Sequence, residues 1–177
     1  MIYKIVLFGP ECTGKTTLAQ QLATHYQTIW VPEYSREFQL QKGEACQLED
    51  VIPIAEGQRH LVRQALPAAN RLLICDTDLL ETKVYSEAYF GTSPEWLLAN
   101  LEAYLGDLYL LTSIDVPWEP DGIRDRPDKR EEMYELFKYE LTARELPFAP
   151  VSGNAEQRFT QACQAIDRFL REKSINA

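Results

Sequence analysis

Short apolar runs alternate with longer amphipathic segments along this chain. The runs cover residues 2–8, 28–33, 71–77, 108–114 and 148–153. Each is too short for a typical helix, and each ends near a turn-forming or charged residue, as buried strands do. In the segments between them, apolar residues recur every three or four positions, which is the spacing of one helix face. The pattern predicts five strands separated by helices.

Several of the longer segments begin with residues that favour a helix start. They are Asp50 before residues 51–66, Ser93-Pro94 before residues 95–105, and Asn154 with Gln157 before residues 158–173. Strands that alternate with helices favour right-handed crossovers and a parallel sheet covered on both faces. The predicted fold class is therefore α/β, with a five-stranded parallel sheet flanked by helices.

Length and composition fit one domain spanning residues 1–177. A chain of 177 residues with 45% hydrophobic content can bury one substantial core. The 27 acidic residues exceed the 18 basic ones and give a net charge of −9. A negative surface repels the phosphates of nucleic acids, so we expect a small-molecule partner and no nucleic-acid binding.

The cysteines and the apolar segments bear on the compartment. The four cysteines show no CxxC spacing, which argues against a zinc site or a disulfide framework. The first apolar run is too short for a signal peptide, and no segment reaches the roughly 20 apolar residues of a membrane span. We expect a cytoplasmic protein that does not bind membranes.

Residues 9–16, GPECTGKT, match the phosphate-binding pattern GxxxxGK[ST] at every fixed position. Glycines allow successive backbone N–H groups to point at phosphate oxygens, and the helix that follows adds the positive end of its dipole. Lys15 can reach the β- and γ-phosphates, and the Thr16 hydroxyl can bind Mg²⁺. A plain strand-to-helix turn would not require both glycines together with the Lys-Thr pair. The stretch predicts binding of ATP or GTP with Mg²⁺.

Two carboxylates follow the third predicted strand. Asp76 closes the run LLICD, where a carboxylate beside the phosphate loop can hold Mg²⁺ directly or through water. Asp78 can act in the reaction, or it can simply cap the helix that begins at Leu79.

Glu33 follows the second predicted strand. It is expected at the carboxyl edge of the sheet, where ligands of open α/β sheets bind. A carboxylate there can orient or deprotonate an attacking hydroxyl. The alternative is a surface ion pair between Glu33 and Arg36 on one helix turn.

Residues 121–135 form a dense mixed-charge segment that we interpret as a mobile insertion. We expect residues 119–132 to form a lid. Arg124 and Arg126 could close over a transferring phosphoryl group and stabilise its charge. The alternative is a solvated surface segment. Trp118, just before it, is either a packing residue or a stacking surface.

Several selective segments resemble the ribosylnicotinamide kinase domain of the NadR family, which belongs to the P-loop NTPase superfamily. They are GPECTGKTTL, PEYSREF, IAEGQR, CDTDLLETKVYSEAYFG and WEPDGIRDR, in that order along almost the whole chain. The resemblance implies a P-loop nucleoside-kinase fold and transfer of the ATP γ-phosphate to nicotinamide riboside, giving nicotinamide mononucleotide. It also strengthens functional roles for Glu33, Asp78, Asp121 and Arg124. The family's DNA-binding and adenylyltransferase domains would find no room in this chain.

The predicted site can be stated in full. We expect catalytic roles for Lys15, Glu33, Asp78, Arg124 and Arg126, and metal binding by Thr16 and Asp76. The predicted ATP-binding residues are Gly9, Glu11, Cys12, Thr13, Gly14, Lys15, Thr16, Thr17, Ser152 and Gly153. The predicted substrate-binding residues are Glu33, Tyr34, Arg36, Asp78, Trp118 and Asp121.

The resemblance names nicotinamide riboside as the phosphate acceptor, and two other functions stay open beside it. The pyridinium ring of nicotinamide riboside is cationic, so the faces of Trp30, Tyr34 and Trp118 with nearby carboxylates would attract it. Two alternatives stay open, a kinase of another nucleoside-like molecule and an NTP-hydrolysing switch. The chain has no NKxD segment of the kind that reads guanine in GTPases.

Overall fold

The computed structural model describes residues 1–119 and 127–175. The strands are β1 (Tyr3–Phe8), β2 (Trp30–Val31), β3 (Leu72–Asp76), β4 (Leu108–Thr112) and β5 (Phe148–Val151). They form one parallel sheet in the order β2-β3-β1-β4-β5, so that β1 lies at the centre and β2 and β5 lie at the edges. The predicted five-stranded parallel sheet is confirmed.

The α-helices within the described residues cover both faces of this sheet. They are α1 (Lys15–His25), α2 (Tyr34–Lys42), α3 (Val51–Ala65), α4 (Leu79–Phe90), α5 (Glu95–Asn100), α6 (Arg130–Ala143) and α7 (Ala155–Ile175). Short 3₁₀ turns occupy Leu48–Asp50, Leu66–Ala68, Leu101–Tyr104 and Pro127–Lys129. In the part of the chain that the structure describes, we find no helix with the length and apolarity that crossing a bilayer would require.

The alternating direction of side chains along a strand divides the core into two layers. In β1, Ile5 and Leu7 pack with α1 and α7, whereas Val6 and Phe8 face the layer that α3, α4, α5 and α6 cover. All four of these β1 side chains are almost fully buried. Because both faces of β1 are covered, its sequence reads as a continuous apolar run.

Both edge strands are shorter than the apolar runs that predicted them. β2 contains only Trp30 and Val31, and the next residue, Pro32, has no backbone N–H with which to continue the ladder. β5 ends at Val151, and Gly153 then turns the chain with a φ of +89°. The chain therefore leaves the sheet early at both edges.

The predicted helix starts have mixed outcomes. Asn154 and Gln157 form a reciprocal capping box at α7, as predicted, with each side chain accepting a hydrogen bond from the other residue's backbone N–H. Asp50 precedes α3, but its carboxylate accepts a hydrogen bond from Gln47 N in the preceding 3₁₀ turn instead. The helix predicted over residues 95–105 stops at Asn100 and continues as a 3₁₀ turn, which keeps Leu101 buried.

Candidate active site

The phosphate loop joins β1 to α1, and its two glycines are required by its geometry. Gly9 has a φ of +142°, and a Cβ there would lie 2.5 Å from Thr112 Oγ1 and 2.9 Å from the Thr112 carbonyl oxygen. Gly14 has a φ of +79°, in the left-handed region, immediately before the first residue of α1. Only glycine suits both positions. The loop backbone therefore packs directly against the end of β4.

Lys15 is buried within this loop. Its Nζ donates hydrogen bonds to Gly9 O at 2.7 Å and Pro10 O at 3.1 Å, and it lies 3.2 Å from Glu81 Oε1. Burial acts to lower the pKa of Lys15, but the negative charges of Glu81, Glu33 and Asp76 outweigh it, and the net pKa is raised. The ammonium group therefore stays protonated, and its three N–H donors face Gly9 O, Pro10 O and Glu81.

The two residues predicted to bind a metal lie in direct contact. Thr16 Oγ1 donates a hydrogen bond of 2.6 Å to Asp76 Oδ2, and the buried Oδ1 of Asp76 has no hydrogen-bond partner. Burial raises the pKa of Asp76 to about 6; the Lys15 charge opposes this shift and the Glu33 charge adds to it. Hydroxyl and carboxylate oxygens are the ligands that Mg²⁺ prefers, and Mg²⁺ commonly combines one or two of them with water and phosphate oxygens. The Thr16–Asp76 pair fits that ion.

Asp78 occupies the position that the capping alternative predicted. Its Oδ1 accepts hydrogen bonds from Leu80 N and Glu81 N at the start of α4, and its Oδ2 accepts one of 2.6 Å from the Tyr109 hydroxyl. The side chain is buried, which raises its pKa to about 6. The carboxylate makes the contacts that the capping alternative predicted, and the expected catalytic and substrate-binding roles of Asp78 stay predictions.

Glu33 lies at the carboxyl edge of the sheet, between β2 and α2. Its side chain is half-buried and accepts a hydrogen bond from Ser35 Oγ. β2 pairs with β3 in a register that sets Val31 opposite Cys75, so Glu33 leaves the sheet at the same edge as Asp76. The Glu33 charge contributes to the pKa shifts of Lys15, Asp76 and Glu81. The exposed side chain of Arg36 also acts on the pKa of Asp76, which it lowers.

The three aromatic residues expected to face a cationic ring lie in different surroundings. Trp30 packs against the core layer that α1 and α7 cover. The half-buried Tyr34 packs its ring against Gly57 of α3. Trp118 lies under the Arg130 guanidinium, 5.8 Å from the ring centroid. Tyr34 is therefore next to Glu33 in the chain with its ring on α3, and Trp118 lies beside the arginine that contacts the phosphate loop.

Other predicted ATP-binding residues surround the phosphate loop. The Glu11 N–H donates a hydrogen bond of 2.9 Å to the Tyr85 hydroxyl, and Glu119 N donates one of 3.2 Å to Cys12 Sγ. Thr13 Oγ1 lies 2.7 Å from Thr112 Oγ1. Among the remaining predicted residues, Thr17 is exposed on the first turn of α1.

Ser152 and Gly153 follow β5, and Arg158 joins their loop to the phosphate loop. The buried Arg158 guanidinium donates hydrogen bonds of 2.8 Å to the carbonyl oxygens of Gly153, Thr13 and Ser113, and it pairs with Asp115. The β5–α7 loop predicted to contact ATP therefore lies beside the phosphate loop.

Three predicted residues, Asp121, Arg124 and Arg126, lie outside the described residues, so their expected roles stay predictions. The described part of the predicted lid includes Arg130, the first residue of α6. Its guanidinium donates a hydrogen bond of 3.1 Å to Cys12 O, and its buried Nε has no hydrogen-bond partner among the residues that the structure describes. Arg130 thus brings a positive charge to the phosphate loop.

Sequence reasoning missed four residues of this site, which are Gln58, Glu81, Arg130 and Arg158. Glu81 is 2% exposed, and burial raises its pKa to about 8 although the Lys15 charge opposes the shift. Glu81 lies three residues after Asp78, which is the spacing of a capping box, so the sequence indicates a contact with the start of α4 and not the observed ion pair with Lys15. Arg130 and Arg158 carried no motif signal, and Gln58 carried one only as part of the IAEGQR segment.

Comparisons with known proteins agree with this geometry. The family described as AAA domain matches residues 4–158. The trifunctional NAD biosynthesis/regulator protein NadR of Escherichia coli (strain K12) is 27% identical over 176 residues, and the Salmonella typhimurium protein of the same name is 26% identical. These alignments cover 96% of this chain, which spans less than half the length of either relative, 43% in both cases.

Solved structures share the fold. A crystal structure of NadR protein in complex with NR has a TM-score of 0.77 at 20% identity and covers 94% of this chain and 51% of that one. Deoxyadenosine kinase from M. mycoides with bound dATP has a TM-score of 0.65 at 12% identity and covers 93% of this chain and 99% of that one. The predicted P-loop nucleoside-kinase fold and the resemblance to NadR are confirmed. With a phosphate loop at the centre of its sheet and a family match over residues 4–158, this chain belongs to the AAA domain family.

Proposed function

We propose that this protein is an ATP-dependent kinase that phosphorylates the ribose 5′-hydroxyl of nicotinamide riboside. One observation carries the proposal. The phosphate loop, the Thr16–Asp76 pair and the Glu33 carboxylate meet at one edge of the sheet, which supplies both a phosphate-binding side and an acceptor side. The similarity to NadR, a NAD biosynthesis protein that has been solved with NR, suggests the acceptor.

The nucleotide side would hold ATP through the loop amides and Lys15. Thr16 and Asp76 would hold Mg²⁺, which when bound neutralises charge on the phosphate oxygens. Lys15 is already protonated and fixed by the Gly9 and Pro10 carbonyl oxygens. When ATP binds, the ammonium group would exchange some of its contacts with Gly9, Pro10 and Glu81 for phosphate oxygens and stabilise the charge of the transferring phosphoryl group.

The acceptor side would use Glu33 as the base. The acceptor hydroxyl oxygen forms a bond to the γ-phosphorus, and the bond from that phosphorus to the oxygen bridging the β-phosphate breaks. The hydroxyl proton passes to the Glu33 carboxylate, and ADP leaves. Glu33 fits this role better than Asp78, because it is half-buried at the ligand edge whereas the Asp78 carboxylate is committed to the start of α4.

The chemistry of the acceptor side suits a cation. Glu33 contributes negative charge there, and the next residue in the chain, Tyr34, packs its ring on Gly57 of α3. A pyridinium ring is attracted both by carboxylates and by an aromatic face. The similarity in fold to a deoxyadenosine kinase favours a neutral nucleoside as the second candidate acceptor.

A panel of nucleosides assayed with ATP and Mg²⁺ tests the proposal. We expect phosphorylated product with nicotinamide riboside at a kcat/KM at least about tenfold above that with deoxyadenosine or adenosine. The reduced, uncharged form of the riboside is the matched control for the ring charge. Faster turnover of deoxyadenosine would favour the second candidate. ATP hydrolysis that no nucleoside accelerates would overturn the kinase proposal.

A further inference from the structure

The segment that carries Glu33 has little support from its own secondary structure. β2 is an edge strand of two residues that pairs only with β3. The helix that follows, α2, has no buried residue and receives no side-chain cap at its start. An element with few buried contacts is expected to move easily. Another part of the molecule must hold the Glu33 backbone in place.

The side chain of Gln58 supplies that support. It reaches from α3, is 1% exposed, and bonds to the backbone on both sides of Glu33. Gln58 Oε1 accepts a hydrogen bond of 2.8 Å from Tyr34 N, and Gln58 Nε2 donates one of 3.2 Å to Pro32 O. An amide offers the same donor and acceptor pair as a peptide unit. Gln58 therefore replaces the strand neighbour that β2 lacks beyond Val31.

The residue before Gln58 reinforces the same contact. A Cβ at Gly57 would lie 2.0 Å from Cε1 of the Tyr34 ring, so this close approach of α3 to Tyr34 requires glycine. The ring packs on the Gly57 backbone, and the Tyr34 N–H bonds to the adjacent side chain. Gly57 and Gln58 together determine where the chain turns from β2 into α2.

We propose that Gln58 is a positioning residue that holds Glu33 in line with the acceptor hydroxyl. The inference rests on the proposed role of Glu33 as the base. The buried Gln58 amide is bonded to backbone groups, so it acts on the reaction through Glu33. A base must lie within hydrogen-bond reach of the proton it accepts, and a displacement of about 1 Å can cost 10²-fold in rate.

The first experiment compares Gln58→Met with Gln64→Met. Methionine keeps the length of the side chain but cannot make either hydrogen bond, and Gln64 is an exposed residue of the same helix. We expect Gln58→Met to lower kcat with nicotinamide riboside about tenfold or more while the Kd for ATP stays within about twofold. Gln64→Met should behave as wild type. An equal loss of ATP affinity in Gln58→Met would indicate general damage and overturn the inference.

A double-mutant cycle with Glu33→Gln separates positioning from structural damage. If Gln58 acts through Glu33, adding Gln58→Met to Glu33→Gln should cost less than about twofold further in kcat. Additive losses would overturn the positioning role. A Glu33→Gln variant with wild-type kinetics would instead overturn the proposed base, whatever Gln58→Met does.

A third measurement needs no acceptor. Amide hydrogen exchange of peptides covering residues 32–38 should be at least several-fold faster in Gln58→Met than in wild type, while peptides from α1 and the phosphate loop remain unchanged. Unchanged exchange at 32–38 would overturn the inference even if the acceptor proves to be another nucleoside. Should Gln58→Met fail to fold, Gly57→Ala displaces the same backbone through Tyr34, and the same two outcomes apply.

Discussion

The nucleotide side and the acceptor side of this site are built in different ways. The phosphate loop follows β1, the central strand, which has a neighbour on each side, and leads into α1, five of whose residues are buried. Contacts from β4 and α7, through Thr112 and Arg158, hold the loop from two further directions. Glu33 follows a two-residue edge strand and precedes a helix with no buried residue.

This difference indicates where substitutions can change the activity of the protein without loss of its fold. Substitutions in the phosphate loop disturb the centre of the sheet, so they should affect both stability and catalysis. Substitutions around Glu33 disturb an edge that contributes little to the core, so they should affect the acceptor reaction alone. The predictions below test that division, beginning with the largest expected effect.

Lys15→Ala should cause the largest loss of activity. The substitution removes the charge that faces the phosphates and leaves the buried Glu81 without its cationic partner. We expect kcat to fall by about 10²-fold or more and thermal stability to change as well. Steady-state kinetics and thermal unfolding measure both effects, with Lys138→Ala on an exposed position of α6 as control. Undiminished turnover in Lys15→Ala would show that the phosphate loop does not take part in catalysis.

Glu33→Gln should lower activity without affecting stability. The glutamine keeps the shape of the side chain but cannot accept the hydroxyl proton. We expect kcat with nicotinamide riboside to fall by about 10²-fold, with an unchanged melting temperature and ATP affinity. Glu37→Gln, an exposed residue on α2, is the matched control. A parallel fall in melting temperature would contradict the division between the two sides.

Asp76→Asn should change the requirement for Mg²⁺ more than the maximal rate. The substitution keeps the hydrogen-bonding shape near Thr16 but removes the negative charge that attracts the ion. Titration of activity with MgCl₂ at saturating ATP should show a half-maximal concentration raised about tenfold. Asp128→Asn, an exposed residue outside the loop, is the control. An unchanged titration would show that Asp76 does not contribute to metal binding.

Glu81→Gln should alter how stability depends on pH. Burial raises the pKa of Glu81 from 4.5 to about 8, so the folded protein holds this proton more tightly than the unfolded chain does. The contribution of this proton to the free energy of unfolding is fully present below about pH 4.5 and is lost as the pH rises through about 8. Asp76 and Asp78 act in the same direction, but only up to about pH 6.

Urea unfolding at pH 6.5 and pH 8.5, without nucleotide or metal, isolates the Glu81 contribution. The free energy of unfolding of wild type should fall over this range by about 2 kcal/mol more than that of Glu81→Gln. Lys15 adds no slope here, because its pKa is raised above 10.5. Glu135→Gln on the exposed face of α6 should keep the wild-type slope. Identical slopes in wild type and Glu81→Gln would refute the raised pKa.

The sequence predicted the nucleotide side well because the chemistry there is local. A strand, two glycines with positive φ, a lysine and a helix start lie within 16 residues of the N-terminus, so pattern and spacing describe them together. Thr16 and Asp76 were also paired correctly, because residues at the carboxyl ends of neighbouring parallel strands meet at one edge. On the acceptor side, the substrate-binding roles predicted for Glu33, Tyr34, Arg36, Asp78, Trp118 and Asp121 stay predictions.

The rest depended on contacts between distant parts of the chain. Asp78 had two plausible roles in the sequence; the structure shows the helix-start contacts of the capping role and adds a buried hydrogen bond to Tyr109, 31 residues away. Gln58 bonds to residues 24 and 26 positions earlier, which no spacing rule connects. The side-chain directions of such residues are determined by the packing of α3 and α4 on the sheet.

The sequence by itself therefore determined the order of strands and helices along the chain, the phosphate loop and the sheet edge that carries Glu33 and Asp76. Hydrophobic period and backbone conformational preference are local properties, and they carry this information directly. Only the tertiary structure decided which partner each buried polar group contacts. Glu81 pairs with Lys15, Arg158 donates a hydrogen bond to the Thr13 carbonyl oxygen, and Gln58 bonds to the backbone beside Glu33. A buried polar group must find a partner wherever packing places one, and that place is set by the whole fold.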